Sequence, residues 1–158
     1  MPKLNKFAKW HKKYLPKEAY DPNVTKTWKS ALKHCLRKWE GCLPEILEEY
    51  NIEVTNNELY DKKKRNDLQK YKVHMGSANC ALCWKAQEVA RRLKTFHMCD
   101  CCLFQKHFGA CCDYGETKAW SVSPWNSWSM SKDPKPMIKA LKELSKIDWD
   151  NKAKGAGR

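Results

Sequence analysis

The feature that most constrains this chain is a set of four cysteines with paired spacing. Cys80 and Cys83 have two residues between them, and after a gap of fifteen residues Cys99 and Cys102 repeat that spacing. In a C-x2-C turn, two thiolates can reach one ion at about 2.3 Å from each sulfur. The full spacing C-x2-C-x15-C-x2-C therefore predicts a four-thiolate site for Zn2+, with these cysteines as its ligands.

Composition indicates a soluble chain made in a reducing compartment. It has 158 residues, a mean hydropathy of −0.82 and 31% charged residues, so one domain with a modest core is expected. The N-terminus is basic but lacks the apolar stretch of a secretion signal, and no segment approaches membrane-spanning length. We therefore predict a cytoplasmic protein without a membrane partner. In that compartment, nine cysteines favour metal binding over disulfides.

A second ligand set overlaps with the first. It reads C-x2-C-x4-H-x4-C and comprises Cys99, Cys102, His107 and Cys112. This is the spacing of the zinc knuckle, which binds single-stranded nucleic acid. Knuckles usually carry an aromatic residue and a glycine where this chain has Asp100 and Lys106, so the first set is preferred. An iron–sulfur cluster also uses four thiolates, but nothing else in the sequence indicates electron transfer.

Five cysteines lie outside the preferred set. Three roles stay open for Cys101, Cys111 and Cys112: ligands of a second metal, extra ligands of the first, or buried thiols. Cys35 lies on the apolar face of a predicted helix and is expected in the core. Cys42 has no assigned role.

Helical periodicity dominates the remaining sequence. Apolar residues recur at i, i+3 and i+4 from Trp28 to Trp39, in a helix that Thr25 or Thr27 caps. Further helices are predicted after Pro44, from 56 through about 72, over 84–96 and over 137–144. Residues 113–135 are predicted to be a loop whose Trp120, Trp125 and Trp128 cover the metal lobe. No alternating pattern predicts a strand longer than a few residues.

These patterns predict a mainly α fold, a small helical domain with an irregular zinc-stapled lobe. A basic N-terminal arm is expected over 1–24, a single helical zinc-binding domain over 25–148, and a flexible basic tail over 149–158.

The net charge of +13 favours an anionic partner. Two clusters are the candidate contacts with DNA or RNA phosphates, and the aromatic residues Trp84 and Phe104 are candidates for stacking on bases. The clusters comprise Lys62, Lys63, Lys64, Arg65, Arg91 and Arg92. The chain is accordingly predicted to be a nucleic-acid-binding accessory protein with structural zinc.

An acidic stretch supports an alternative function. Seven acids and no base lie from Glu40 to Asp61, beside Leu43, Ile46, Leu47, Tyr50 and Tyr60. Such a surface suits a non-catalytic module that binds a host protein. Salt dependence separates the two hypotheses, because phosphate contacts weaken steeply with salt and an apolar interface does not.

Several segments resemble small uncharacterised phage and prokaryotic proteins. They read TWKSALKHCLRKWEG, GSANCALCWKA, CDCCLF, FGACC and SPWNSW, within residues 27–145. Leu103 replaces a proline expected from that family, and Cys101 and Cys111 are additional. The resemblance implies a helical zinc protein, phage-encoded and acting in the host cytoplasm, and implies no catalytic activity.

The sequence favours a non-enzyme. The zinc-deaminase, HExxH, P-loop and GxGxxG patterns are all absent. The Cys80–Cys83 pair lacks the βαβ context of a redox motif. A closed four-thiolate site also leaves no open position for a reactive water, so the predicted zinc is structural.

Overall fold

The structure is a computed structural model that describes residues 5–64, 72–95, 97–112, 120 and 122–156. It is mainly helical, with a small three-stranded sheet, which confirms the predicted fold class. The helices of this described part are α1 Lys6–Tyr14, α2 Pro22–Thr25, α3 Trp28–Glu40, α4 Pro44–Glu49, α5 Ala81–Arg92, α6 Leu103–Phe108, α7 Pro124–Ser131, α8 Lys135–Leu144 and α9 Trp149–Ala156. Short 3₁₀ turns lie at Lys62–Lys64, Ser77–Asn79 and Met98–Cys101.

Helix α3 is the centre of the domain and packs against α1, α2, α5, α8 and α9. Its N-terminus is closed by a capping box, in which Thr27 Oγ1 accepts from Ser30 N at 3.0 Å and Ser30 Oγ accepts from Thr27 N at 3.2 Å. The Asp150 carboxylate of α9 accepts from the backbone N–H groups of Trp28 and Lys29 at 2.8 and 3.1 Å. These bonds satisfy donors that a helix N-terminus otherwise leaves unpaired.

The C-terminal end of α3 is fitted closely to α1. Trp10 Nε1 donates to Gly41 O at 2.8 Å, and a Cβ at Gly41 would lie 2.6 Å from Tyr14 Cγ. Phe7, Trp10 and Tyr14 are buried in the same core as the aromatic residues of α3. The described part of the predicted arm, residues 5–24, is thus packed onto the domain.

Residues predicted to be a flexible tail also contact the core. The Trp149 ring is buried, and its Nε1 donates to Leu144 O at 2.9 Å. Together with the Asp150 cap on α3, this contact fixes the start of α9. Residues 157 and 158 lie outside the described part of the chain.

The helix predicted over residues 56–72 is wrong, because this stretch begins with a hairpin. Strands β1 Ile52–Thr55 and β2 Glu58–Asp61 pair antiparallel, and β3 Lys72–His74 adds to β2. The hairpin turn is Asn56-Asn57, with φ of 51° and 63°. Two-residue hairpin turns favour left-handed φ at both positions, and asparagine tolerates it better than most residues. Residues 65–71 lie outside the described part of the chain.

Two other boundaries differ from the sequence prediction. Helix α5 begins at Ala81 rather than 84, because Cys80 serves as its N-cap. Helix α7 occupies part of the predicted loop 113–135, where Ser123 accepts from Asn126 N and Pro124 fills the first turn. Serine at the N-cap followed by proline is a frequent helix start, and it outweighed the weak apolar periodicity of this segment. Among the described residues, no helix combines the length and apolarity needed to cross a bilayer.

Candidate metal centre

Seven of the nine cysteines line one cavity of about 350 Å³. Its walls come from α3, α5, α8 and the segments that flank α6. Three methionines, Met75, Met98 and Met137, add their side chains to the lining. The cysteines of the lining are Cys35, Cys80, Cys83, Cys99, Cys102, Cys111 and Cys112. None of the nine cysteines forms a disulfide.

The first pair is positioned by the start of α5. Cys80 Sγ accepts a hydrogen bond from the backbone N–H of Cys83 at 3.4 Å, so the sulfur occupies the place of a capping oxygen. A helix N-terminus carries partial positive charge from its unpaired N–H groups, which stabilises a thiolate there. The helix therefore holds both members of the pair near one point and favours the anionic form of Cys80.

The second pair is positioned by the 3₁₀ turn that leads into α6. Cys102 N donates to Cys99 O at 3.1 Å, and the turn packs directly on α5. Cys102 is buried, whereas Cys99 is exposed at the rim of the cavity. Local backbone bonding thus presents one sulfur to the interior and leaves the other near solvent.

A third pair of cysteines, Cys111 and Cys112, follows α6. Gly109 ends that helix with φ of 73°, which turns the chain towards Cys111 and Cys112. Cys112 O accepts from Trp125 N at 3.0 Å, which ties this segment to α7. The Trp125 ring lines the cavity next to these thiols.

The thiols at the start of α5 influence one another. The neighbouring thiols of Cys35, first, and of Cys83 hold the pKa of Cys80 well below its usual value, because they stabilise its thiolate. The same interactions, together with burial, raise the pKa of Cys35 and of Cys83. Burial, followed by the charge on Cys80, raises the pKa of Cys102 to about 12. Cys80 is thus the sulfur that its surroundings most favour as a thiolate.

A buried lysine lies beside this sulfur. Lys38 is 0% exposed, lines the cavity, and donates through Nζ to the carbonyl of Asn79, the residue before Cys80. Within the described part of the chain, no carboxylate forms an ion pair with it. A buried ammonium needs a compensating negative charge, because the loss of hydration costs several kcal/mol. The groups placed to supply that charge are the thiols of the cavity.

The structure brings together most of the ligands predicted from sequence, but not all. Cys80, Cys83, Cys99, Cys102 and Cys112 line the cavity. His107 does not, because its Nε2 lies 2.9 Å from Glu143 Oε1 on α8. Cys101 is buried away from the cavity lining. Among the described residues, no three His, Cys, Asp or Glu side chains are grouped closely enough to hold an ion as they stand.

Two lining residues were missed at the level of sequence. Cys35 was expected in the core, and Lys38 was given no role. Both lie on the buried stripe of α3, three residues apart. Lys38 could have been identified from sequence, because it is a lysine at an apolar position of a periodic helix.

The predicted phosphate contacts are exposed where they are described. Lys62 and Lys63 follow β2, and Arg91 and Arg92 end α5; all four are exposed, and none forms an ion pair within the described residues. Arg65 and the side chain of Lys64 lie outside the described part.

The two predicted stacking rings differ in accessibility. Phe104 is buried and lines the cavity, so it is not accessible to a base. Trp84 is half-buried, packs edge-on against the exposed ring of Tyr20, and donates through Nε1 to Ala78 O at 2.8 Å.

The apolar residues of the acidic stretch serve mainly the protein's own core. Leu47 is buried, and Leu43, Ile46 and Tyr50 are partly buried against the core. Little apolar surface is therefore left there for a partner protein.

No protein-family model, no curated protein and no solved structure matches this chain. The resemblance to phage and prokaryotic proteins therefore stays a prediction.

Proposed function

We propose that this protein is built around a structural metal–thiolate centre that binds zinc. The carrying observation is Lys38, a fully buried cation without a carboxylate partner in the described residues, beside a cavity with seven thiols. Four thiolates around one Zn2+ have a net charge of two negative units, which would compensate the ammonium. Neutral thiols would leave it without a negative charge, with only the Asn79 carbonyl and the Trp39 ring, whose centroid lies 5.5 Å from Nζ, as partners.

In this proposal Cys80, Cys83 and Cys102 ligate the ion, and Cys99 completes the set predicted from spacing. Soft thiolate ligands suit zinc. The N–H bond from Cys83 to the Cys80 sulfur is the kind of outer contact that orients a ligand. Leu82, Ala86 and Leu141 contribute an apolar shell. Because a four-thiolate site leaves no open position for a reactive water, we propose a structural centre in a non-catalytic protein.

Metal analysis of the purified protein tests this proposal. Bound zinc should remain after extensive dialysis and be lost in Cys80→Ser. Cys42→Ala is the control, because Cys42 is fully buried but lies outside the cavity lining. Protein that carries no zinc, and whose melting temperature is unchanged by a strong chelator, would overturn the proposal.

A second proposal concerns the partner, and it rests on the exposed basic residues. Lys62, Lys63, Arg91 and Arg92 are exposed and unpaired with acids in the described residues, in a chain of net charge +13. We propose that these clusters, with Lys64 and Arg65, contact the phosphates of DNA or RNA. The protein would then be a nucleic-acid-binding accessory protein held in shape by its metal.

The test is affinity for single- and double-stranded DNA and RNA across a salt series. Changing the six basic residues to glutamine should weaken binding for all sequences and lower the salt slope by roughly one unit for each lost contact. A control with the same charge change alters six exposed lysines on or next to α3 and α8: Lys29, Lys33, Lys135, Lys139, Lys142 and Lys146.

An equal loss of affinity in both variants would mean that only net charge matters, and would reject the six basic residues as specific phosphate contacts. Absence of wild-type binding at low salt would reject nucleic acid as the partner and favour the host-protein module.

A further inference from the structure

The cavity has more sulfur donors than one zinc ion can use. A tetrahedral thiolate site takes four ligands, and seven cysteines line this space. If the ion is held by Cys80, Cys83, Cys99 and Cys102, then Cys35, Cys111 and Cys112 remain in the same lining. Spare cysteines are usually buried thiols scattered through a core. Here they are gathered around a single cavity.

The cavity also has room for more than one ion. Its volume is about 350 Å³, and its lining is largely apolar side chains and sulfur. No three donors are grouped to hold one ion as the described side chains stand. A centre of more than one ion can use donors that lie too far apart to bind one ion together.

The thiols of the lining also fall into two overlapping sets that share Cys80 and Cys102. Cys83 interacts electrostatically with Cys80, Cys112 and Cys102. Cys102 in turn interacts with Cys80, Cys111 and Cys99. Cys80 and Cys102 therefore each have neighbouring thiols in both sets. A thiolate sulfur has several lone pairs, so one in this position can bind two ions at once.

We propose that the cavity holds two zinc ions joined by bridging thiolates, with Cys111 and Cys112 supplying ligands beyond those of a one-ion site. This rests on the proposed metal-binding function and extends it. Two tetrahedral ions can be satisfied by six thiolates when two of them bridge. The six are Cys80, Cys83, Cys99, Cys102, Cys111 and Cys112. Cys35 and Lys38 remain in the lining beside this centre, and the ammonium compensates part of its negative charge.

Zinc stoichiometry of the full chain tests this directly. The wild type should bind two equivalents, and the double variant Cys111→Ser, Cys112→Ser should bind one. The double variant Cys42→Ala, Cys101→Ala should still bind two, because both residues lie outside the cavity lining. A second measurement needs no variant: after exchange with 113Cd, a bridged pair should give two cadmium resonances split by mutual coupling.

The possible outcomes distinguish the two-ion centre from the structural zinc site on which it rests. One equivalent in the wild type, with a single cadmium resonance, overturns the two-ion centre and leaves the structural zinc intact. No bound zinc overturns both. Iron with acid-labile sulfide overturns both as well, and would assign the cavity to an iron–sulfur cluster.

Discussion

At the scale of single residues, Lys38 connects the charge of the protein to its cavity. Of the 31 lysines and arginines, most of those described are solvated, but this one is fully buried next to Cys80. A buried cation destabilises an empty thiol cavity and stabilises one with a negative metal–thiolate centre. Lys38 should therefore destabilise the metal-free protein and stabilise the zinc-bound protein.

Lys38→Met removes the charge and keeps most of the volume. We expect zinc affinity, measured by competition with a chelator, to fall by about tenfold or more, since buried opposite charges interact by more than ~1.4 kcal/mol even at an effective dielectric constant of ~20. The metal-free protein should be as stable as the wild type or more stable. Lys33→Met, at an exposed position of the same helix, should change neither property. Tighter zinc binding in Lys38→Met would contradict this role.

At the scale of elements, close contacts at both ends of α3 fix its neighbours. Its C-terminal end meets α1 through Gly41, and its N-terminal end receives Asp150 from α9. Each contact has a substitution that tests it.

Gly41→Ala should displace α1. The added Cβ would lie 2.6 and 2.8 Å from Tyr14 Cγ and Cβ, too close for either to remain in place. We expect a cost of about 1–3 kcal/mol in the free energy of unfolding, with faster amide exchange throughout α1. Gly109→Ala is the control: its φ of 73° makes alanine strained, but no atom lies within 4 Å of the new Cβ, so exchange in α1 should not change. Unchanged exchange in Gly41→Ala would show that α1 tolerates the shift.

Asp150→Ala should uncap α3. The loss of two charge-assisted bonds to the N–H groups of Trp28 and Lys29 should lower the free energy of unfolding by about 1 kcal/mol. Thermal or urea unfolding measures this. Glu48→Ala, at an exposed position of α4, also removes one acid and is the matched control. It should change the free energy of unfolding little. If both variants melt alike, the cap contributes nothing measurable.

Elements with strong periodicity were predictable from sequence, whereas those set by backbone conformation were not. Helix α3 follows from an apolar stripe with a threonine cap. Strands β1 and β2 are only four residues each, too short for a period-two signal, and their turn depends on two asparagines with positive φ. The cysteine spacing grouped Cys80, Cys83, Cys99 and Cys102, and all four line one cavity. It gave Cys112 only as an alternative ligand and left the role of Cys111 open, because the positions of both depend on the turn at Gly109 and the bond to Trp125.

At the scale of the whole molecule, two kinds of contact hold the domain together. Rings and aliphatic side chains join α1, α3, α8 and α9 into one core. The segments that carry the thiols, α5 through α6, close around the cavity. Stability should therefore depend on metal in one part of the molecule more than in the other.

Chelation should unfold these parts unequally. After zinc is removed, amide exchange should accelerate in α5, in the turn Met98–Cys101 and in α6, while α1, α3 and α8 retain more protection. Hydrogen exchange read by mass spectrometry gives this comparison on the wild-type chain. Uniform loss of protection would mean that the metal supports the whole core, and no change at all would mean that it supports neither part.

The cap on α3 also affects how the protein can fold during its synthesis. Asp150 lies 122 positions after Trp28, whose backbone it binds. A ribosome adds about 5–20 residues per second, so the N-terminus of the central helix waits roughly 6–24 s for this partner to be synthesised. During that interval α3 exposes the face that α8 and α9 later cover. We therefore expect a nascent chain of this protein to expose this apolar face to chaperones until its last helices emerge.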